Sequence, residues 1–315
     1  MNVGETLSSN TLFHFTSKRE YLESIIDNGF HPRYCTEDFS AFAPALGQES
    51  KTFDYAVPMV CFCDIPLSKV KEHISVYKGY GIGCSKAWGI DKGITPLIYV
   101  KPTSETAIGI RNALVSLRQL STISTENIPK IGTIRKSLMR LMKYVKPYEG
   151  RFEHGGLTFE NKRFYDEREW RYIPELEEEI LPPVWISKEL MSGAFVMAKE
   201  MVQQNVILTE WPFDEVRWIH DQLKANAELM TLPDAEVTQK LFDSFRQEMN
   251  KKLSEEPDPK MQIDPTSLKY LIVEKDEDVK HIVEKLEKRF EDQPFTVVKR
   301  LITRIITLEQ INDDF

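Results

Sequence analysis

The run Phe164-Tyr165-Asp166-Glu167-Arg168-Glu169-Trp170-Arg171-Tyr172-Ile173 constrains this chain more than any other. Its aromatic content predicts a strand over about Lys162 to Ile173, and on a pleated strand residues i and i+2 share a face. Glu167 and Glu169 therefore stand together between aromatic residues that a fold would bury. Carboxylates in that setting are costly unless they touch water or have work to do. This is the first place to look for chemistry. The competing reading pairs the two acids with Arg163, Arg168 or Arg171 on an exposed strand edge, where ion pairs contribute little.

Upstream, Thr11-Leu12-Phe13-His14-Phe15-Thr16 reads as a short strand with Leu12, His14 and Thr16 on one face and Phe13 and Phe15 on the other. Ser17 followed by Glu20 fits a capping box, and Tyr21, Leu22, Ile25 and Ile26 form a helical stripe that stops at Asn28-Gly29. A second strand runs from about Val57 to Ile65, with a helix after it from about Ser68 to Tyr77. The glycines of Gly79-Tyr80-Gly81-Ile82-Gly83 lack Walker-loop spacing and imply a tight turn or a close backbone approach. Thr95 to Val100 is a third strand.

Residues 104–146 have helical periodicity and read as an insert, followed by a loop from Pro147 to Gly156 placed to lie over a cleft. After Pro182-Pro183, helical runs near 187–204, 213–230 and 234–253 predict a helical lobe over 187–262. Residues 263–315 return as a strand (Leu268 to Val273), a helix (Asp276 to Phe290) and a strand (Arg304 to Leu308). The fold class is α+β, with residues 1–186 as the core and helices inserted into a sheet.

At 315 residues and 41% hydrophobic, the chain can bury one large core or two modest ones. It shows no signal region and no run of about 18–20 apolar residues, so a cytoplasmic location is expected, with no membrane partner. Cys35, Cys61, Cys63 and Cys84 are too sparse for a disulfide scaffold and lack a zinc-knuckle spacing, so buried thiols and no metal are expected. A net charge of −8 excludes a surface coated in phosphate-binding residues. The cluster Lys130, Arg135, Lys136, Arg140, Lys143 and Lys146 has helical spacing and reads either as a solvated face or as a local nucleic-acid contact.

Taken in order, these pieces are a His14 strand running into a helix, a second strand followed by Tyr77 and Tyr80, and a late strand presenting Glu169. That order is similar to ADP-ribosyltransferases of the His-Tyr-Glu type. Leu12 to Thr16, Val57 to Pro66, Tyr80-Gly81-Ile82-Gly83 and Ile306 to Phe315 resemble the AbiGi-type abortive-infection proteins of phage defence. A weaker likeness joins His14, Thr16 and Glu169 to the DarT-type toxins, which ADP-ribosylate nucleic-acid bases. Those enzymes carry an arginine shortly after the second strand, where this chain has Asp64-Ile65-Pro66, so thymidine specificity on DNA does not transfer.

The resemblance implies a split mixed β-sheet and NAD as substrate. Glu169 would stabilise the oxocarbenium-like transition state through the ribose 2-hydroxyl, and Glu167 would position or deprotonate the acceptor. His14, with Thr16 in its motif, would hold the adenosine-side ribose, and the Phe15 backbone would meet the carboxamide. Tyr77 or Tyr80 would stack on nicotinamide, and Arg33 would bind the pyrophosphate. Taken alone, His14 is a satisfied core histidine, the two tyrosines are core aromatics and Arg33 is a solvated loop residue; His73 and His154 have no visible partners. The implied function is a toxin-like ADP-ribosyltransferase acting on nucleic acid (RNA or DNA) before protein. A cognate antitoxin protein would silence it, and residues 187–262 would bind a partner or a chaperone. The rival is a catalytically inactive antitoxin or binding module on the same fold.

Overall fold

The computed structural model describes residues 9–42, 54–70, 74, 79–123, 128–154, 157–176, 186–204, 214–257 and 259–314. In chain order, β1 (Thr11–Thr16) leads into α1 (Arg19–Asn28), then β2 (Arg33–Asp38), β3 (Asp54–Cys63) and β4 (Tyr80–Ser85). The short α2 (Lys86–Asp91) precedes β5 (Thr95–Pro96) and β6 (Ile98–Val100). Two longer helices follow, α3 (Glu105–Ile123) and α4 (Ile128–Met142), and the chain returns through β7 (Val145–Pro147), β8 (Glu149–His154), β9 (Leu157–Arg163), β10 (Glu169–Tyr172) and β11 (Ile186–Ser187). The helical stretch is α5 (Lys188–Gln203), α6 (Asp214–Ala225) and α7 (Asp234–Glu255). The remainder is β12 (Leu268–Val273), α8 (Asp276–Arg289), α9 (Phe295–Ile302), β13 (Ile305–Thr307) and α10 (Leu308–Asp314).

The main sheet is mixed, in the order β13-β12-β4-β1-β3-β10-β5. β12 and β13 are parallel, as the intervening helices require, and the other pairs are antiparallel. β3 is the hub. It meets β1 only at Phe13↔Cys63, then exchanges that neighbour for β2 over Asp54 to Met59, while β10 and β11 line its other edge.

One face of the sheet packs Leu12, Phe62, Ile82 and Leu271 under Leu22 and Ile26 of α1 and Ile282 and Leu286 of α8. The opposite face carries Phe13, Cys63 and Ile272 with Ile311 of α10. Each such fully buried side chain contributes about 1.5–3 kcal/mol. A separate cluster joins α5, α6 and α7 to Tyr34 and Ala56, and a fourth, around Phe39, Phe42, Ala107 and Met142, roots α3 and α4. Among the described residues, no helix is long and apolar enough to cross a membrane.

Local structure departs from the sequence reading at several points. α1 begins after Lys18, which is extended and gives no side-chain cap, so Ser17 lies one residue too early for a capping box and Glu20 stays exposed beside Arg19. At its other end, Gly29 takes φ +80° and its N–H reaches Ile25 O, as the cap signal requires. The third strand splits after Leu97, whose N–H still donates to Glu169 O: Thr95 and Pro96 pair with β10, whereas Ile98 to Val100 pair with β7. The expected loop after Pro147 is instead the β8–β9 hairpin, with Phe152 opposite Phe159. The glycines before Ser85 mark close approach and no turn: a Cβ on Gly81 would stand 2.8 Å from the Phe15 ring and one on Gly83 2.9 Å from Phe13.

The predicted strand from Lys162 to Ile173 is also broken. β9 ends at Arg163, a 3-10 turn takes Phe164–Glu167, and Arg168 adopts φ +45° before β10 starts at Glu169. Glu167 and Glu169 are therefore not neighbours on one pleat. The helix expected up to Tyr77 is described only as a 3-10 turn at Leu67–Lys69 and at isolated positions, and Tyr77 and His73 lie outside the described residues.

A buried charge cluster as candidate functional site

Residues i and i+2 on β10 do share a face, and they are Glu169 and Arg171, paired across to Cys63 and Cys61 of β3. Arg171 is completely buried. Its Nε donates to Glu169 Oε1 at 2.6 Å and its Nη1 to Lys143 O at 2.9 Å. Nη2 lies 2.8 Å from Glu37 Oε2 without an aligned hydrogen bond. Lys146 Nζ donates to the other Glu169 oxygen at 2.7 Å and to Glu167 Oε2 at 3.1 Å, and Lys162 pairs with the remaining Glu167 oxygen. The Tyr99 hydroxyl accepts from the Glu169 N–H at 2.8 Å.

Three carboxylates thus meet three cations, with Arg171, Glu169 and Glu167 buried and Glu37, Lys146 and Lys162 partly exposed at the margin. The left-handed Arg168 explains how: it reverses the chain between turn and strand, so both acids converge on Lys146 although the strand is broken. Burial by itself would raise the Glu169 pKa, but the charges and hydrogen bonds of Arg171 and Lys146 outweigh it and hold the carboxyl well below the usual carboxylate range. Burial likewise disfavours charge on Lys146 and Arg171, and their acidic neighbours reverse that and keep both protonated. The thiols of Cys35, Cys61 and Cys63 border the cluster; burial raises all three, Cys35 to about 11, so none is a thiolate near neutral pH.

His14 stands elsewhere. Phe13, Cys63 and Glu169 lie in one cross-strand row and point to one face, so His14, one residue on, points to the other. Its ring lies 5.5 Å from that of Phe30 and 5.7 Å from that of Phe62. Nδ1 is 2.8 Å from Cys61 O, a contact only a protonated Nδ1 can make, so the ring fills the notch where β1 parts from β3. Burial lowers its pKa against the opposing pull of that carbonyl, leaving a neutral imidazole.

The other candidates disperse. Phe15 covers Gly81, Thr16 pairs with Tyr80, and Arg33 is exposed at the start of β2. Tyr80 donates to Asp278 Oδ2 at 2.9 Å, on the α8 side. As they stand, these residues do not fit a bound dinucleotide: both oxygens of the carboxylate are held, and the imidazole is across the sheet. Surface hollows of about 300 Å3 beside Phe159 and Lys162 and about 440 Å3 beside Tyr270 and Arg304 touch neither Glu169 nor His14. No group of three or more His, Cys, Asp or Glu that could hold a metal occurs among the described residues.

Sequence reasoning missed Lys146 as the partner of both acids by counting it with a basic helix. α4 ends at Met142, and Lys146 lies on β7 between Val145 and Pro147, a strand-like setting that was the available signal. Lys143 is buried, while Lys136 and Arg140 are exposed on α4, so the basic stretch divides between cluster and surface.

The sequence model of a family described as "Putative abortive phage resistance protein AbiGi, antitoxin" matches residues 28–213. An "Abortive phage resistance protein AbiGi" from Lactococcus lactis subsp. cremoris is 31% identical over 164 residues, 49% of this chain and 65% of that protein, so just under two thirds of the relative's length is spanned. No solved structure matches. The matched residues hold the charge cluster, α3 and α4 but begin after His14, in the middle of the chain and not at its ends.

Proposed function

Because this chain belongs to the AbiGi family of abortive phage resistance proteins, we propose that it serves phage defence as an antitoxin-type module, by binding a partner and not by transferring ADP-ribose from NAD. The observation that carries this reading is the state of Glu169. A carboxylate that stabilises an oxocarbenium-like transition state must be free to meet the ribose, and this one is held by Arg171 and Lys146 inside the protein. Pulling it away would leave a fully buried guanidinium without its main counter-charge, a cost of about 3–5 kcal/mol. The cluster instead acts as a girder, joining β10 to β2 through Glu37 and to the root of α4 through the Lys143 carbonyl.

On this reading the roles expected from the DarT-type likeness are exchanged: the partner is a toxin, and this chain is the silencer. The test is to incubate the purified chain with labelled NAD and total RNA, DNA and protein from the host. The expected result is no label transferred above a heat-denatured control. Transfer by the parent protein would overturn the proposal in favour of the transferase reading, and the labelled fraction would name the acceptor, nucleic acid or protein.

A further inference from the structure

α3 and α4 run side by side between β6 and β7, and the described packing that anchors them lies at the end next to those strands. There Ala107, Ile110 and Met142 pack with Phe39, Phe42 and Val145, and Arg111 donates to Ala41 O at 2.8 Å and Pro102 O at 3.0 Å. Along α4, Leu138, Met142 and Lys143 lie at least half-buried. The opposite arc is exposed. At 3.6 residues per turn it runs over roughly 160° from Lys136 and Arg140 through Thr133 and Ser137 to Leu141 and Ile134. One border is cationic, and the other is an apolar stripe in which Ile134 is 53% and Leu141 45% exposed.

Charge separates this arm from the rest of the molecule. Residues 105–143 contain seven Lys and Arg against two Glu, a net charge of +5, so with −8 overall the remainder of the chain carries −13. Phosphate groups would use the cations and leave Ile134 and Leu141 in water. A helix with an apolar face flanked by acids would use both, laying its apolar ridge against Ile134 and Leu141, two turns apart at i and i+7, with its acids over Lys136 and Arg140.

We infer that the exposed arc of α4 is the docking surface for an acidic, amphipathic helix of a partner protein. This rests on the binding reading above and adds to it the place and the chemistry of the contact.

The test measures fluorescence anisotropy of a labelled synthetic 20-residue helix, leucine on one face and glutamate on its flanks, titrated with the full chain. The same peptide with lysine for glutamate and a 20-nucleotide single-stranded RNA serve as comparison probes. The acidic peptide should bind about tenfold or more tighter than the lysine peptide, and Ile134→Glu with Leu141→Glu, or Lys136→Glu with Arg140→Glu, should each weaken it about tenfold or more. All four positions are exposed, so melting temperature should hold in both variants and report any misfolding separately. Tighter binding to RNA than to the acidic peptide would overturn the inference, as would peptide binding unchanged in both variants. Self-association abolished by the Ile134 and Leu141 changes would also overturn it, assigning the face to a second copy. If the parent and both variants protect host cells against phage equally, the surface is wrong and the binding reading stands; label transfer from NAD sinks that reading instead.

Discussion

Replacing Arg171 by Met removes a cation that has no access to water and leaves Glu169 with Lys146 alone, while Glu37 loses its inward partner. Breaking one member out of a buried ion cluster costs about 3–5 kcal/mol, because the orphaned charge keeps its desolvation penalty. At about 2 °C per kcal/mol for a chain this long, the melting temperature should fall by roughly 6–10 °C. Glu169→Gln should fall by a similar amount, since it strands Arg171. The double variant should be less unstable than the two losses combined, by about 2–3 kcal/mol, because each change removes the other's unpaired charge. Differential scanning calorimetry on the four proteins closes the cycle. The depressed Glu169 pKa gives a second readout: its contribution is fully present above the unfolded value near 4.5 and is lost as pH falls through the folded value, so the difference between parent and Glu169→Gln should shrink in acid. Additive losses, or a Glu169→Gln protein as stable as the parent, would refute the view that this carboxylate is a structural element.

Three further outcomes follow from single contacts. Gly81→Ala should cost about 1–3 kcal/mol in denaturant unfolding, because its Cβ would meet the Phe15 ring at 2.8 Å, and Phe15→Ala in the same chain should restore part of it. Tyr80→Phe should cost about 1–2 kcal/mol by removing a buried bond to Asp278, whose other oxygen keeps Arg19, and a larger loss would mean that this network is cooperative. His14 has a lowered pKa, so its contribution is fully present above the unfolded value near 6.5 and declines as pH falls below it; His14→Gln should flatten that part of the stability profile between pH 7 and 5, and an unchanged profile would show that the ring is not buried in solution.

The mixed α+β class, the first strand and helix, and the three long helices of residues 188–255 were legible because their hydrophobic periods are clean, with Gly29 closing α1 and Pro233 opening α7. α10 also has a signal in the sequence, since Thr307 and Gln310 satisfy each other's backbone N–H in a capping box. α9 has a comparable signal in Pro294, which stands immediately before its first residue. The site was half legible. The carboxylates drew attention because burying them is expensive, which is a sound signal, but the same expense is met by a counter-ion as readily as by a substrate. Which of the two applies depends on Lys146 and Lys162, whose approach is fixed by the Arg168 reversal and the β6–β7 pairing, neither of which has a pattern in the linear chain.

The hub strand has a consequence for how the molecule is made. β3 holds residues from four other strands, the last of them at Ile186 and Ser187, and β4 waits for β12 some 190 positions later. A nascent chain leaving the ribosome therefore exposes an incomplete hydrophobic ribbon until nearly all of it has emerged, and non-local pairing of this kind assembles slowly. Synthesis rate, and whatever shields that ribbon meanwhile, should set how much working protein a cell obtains.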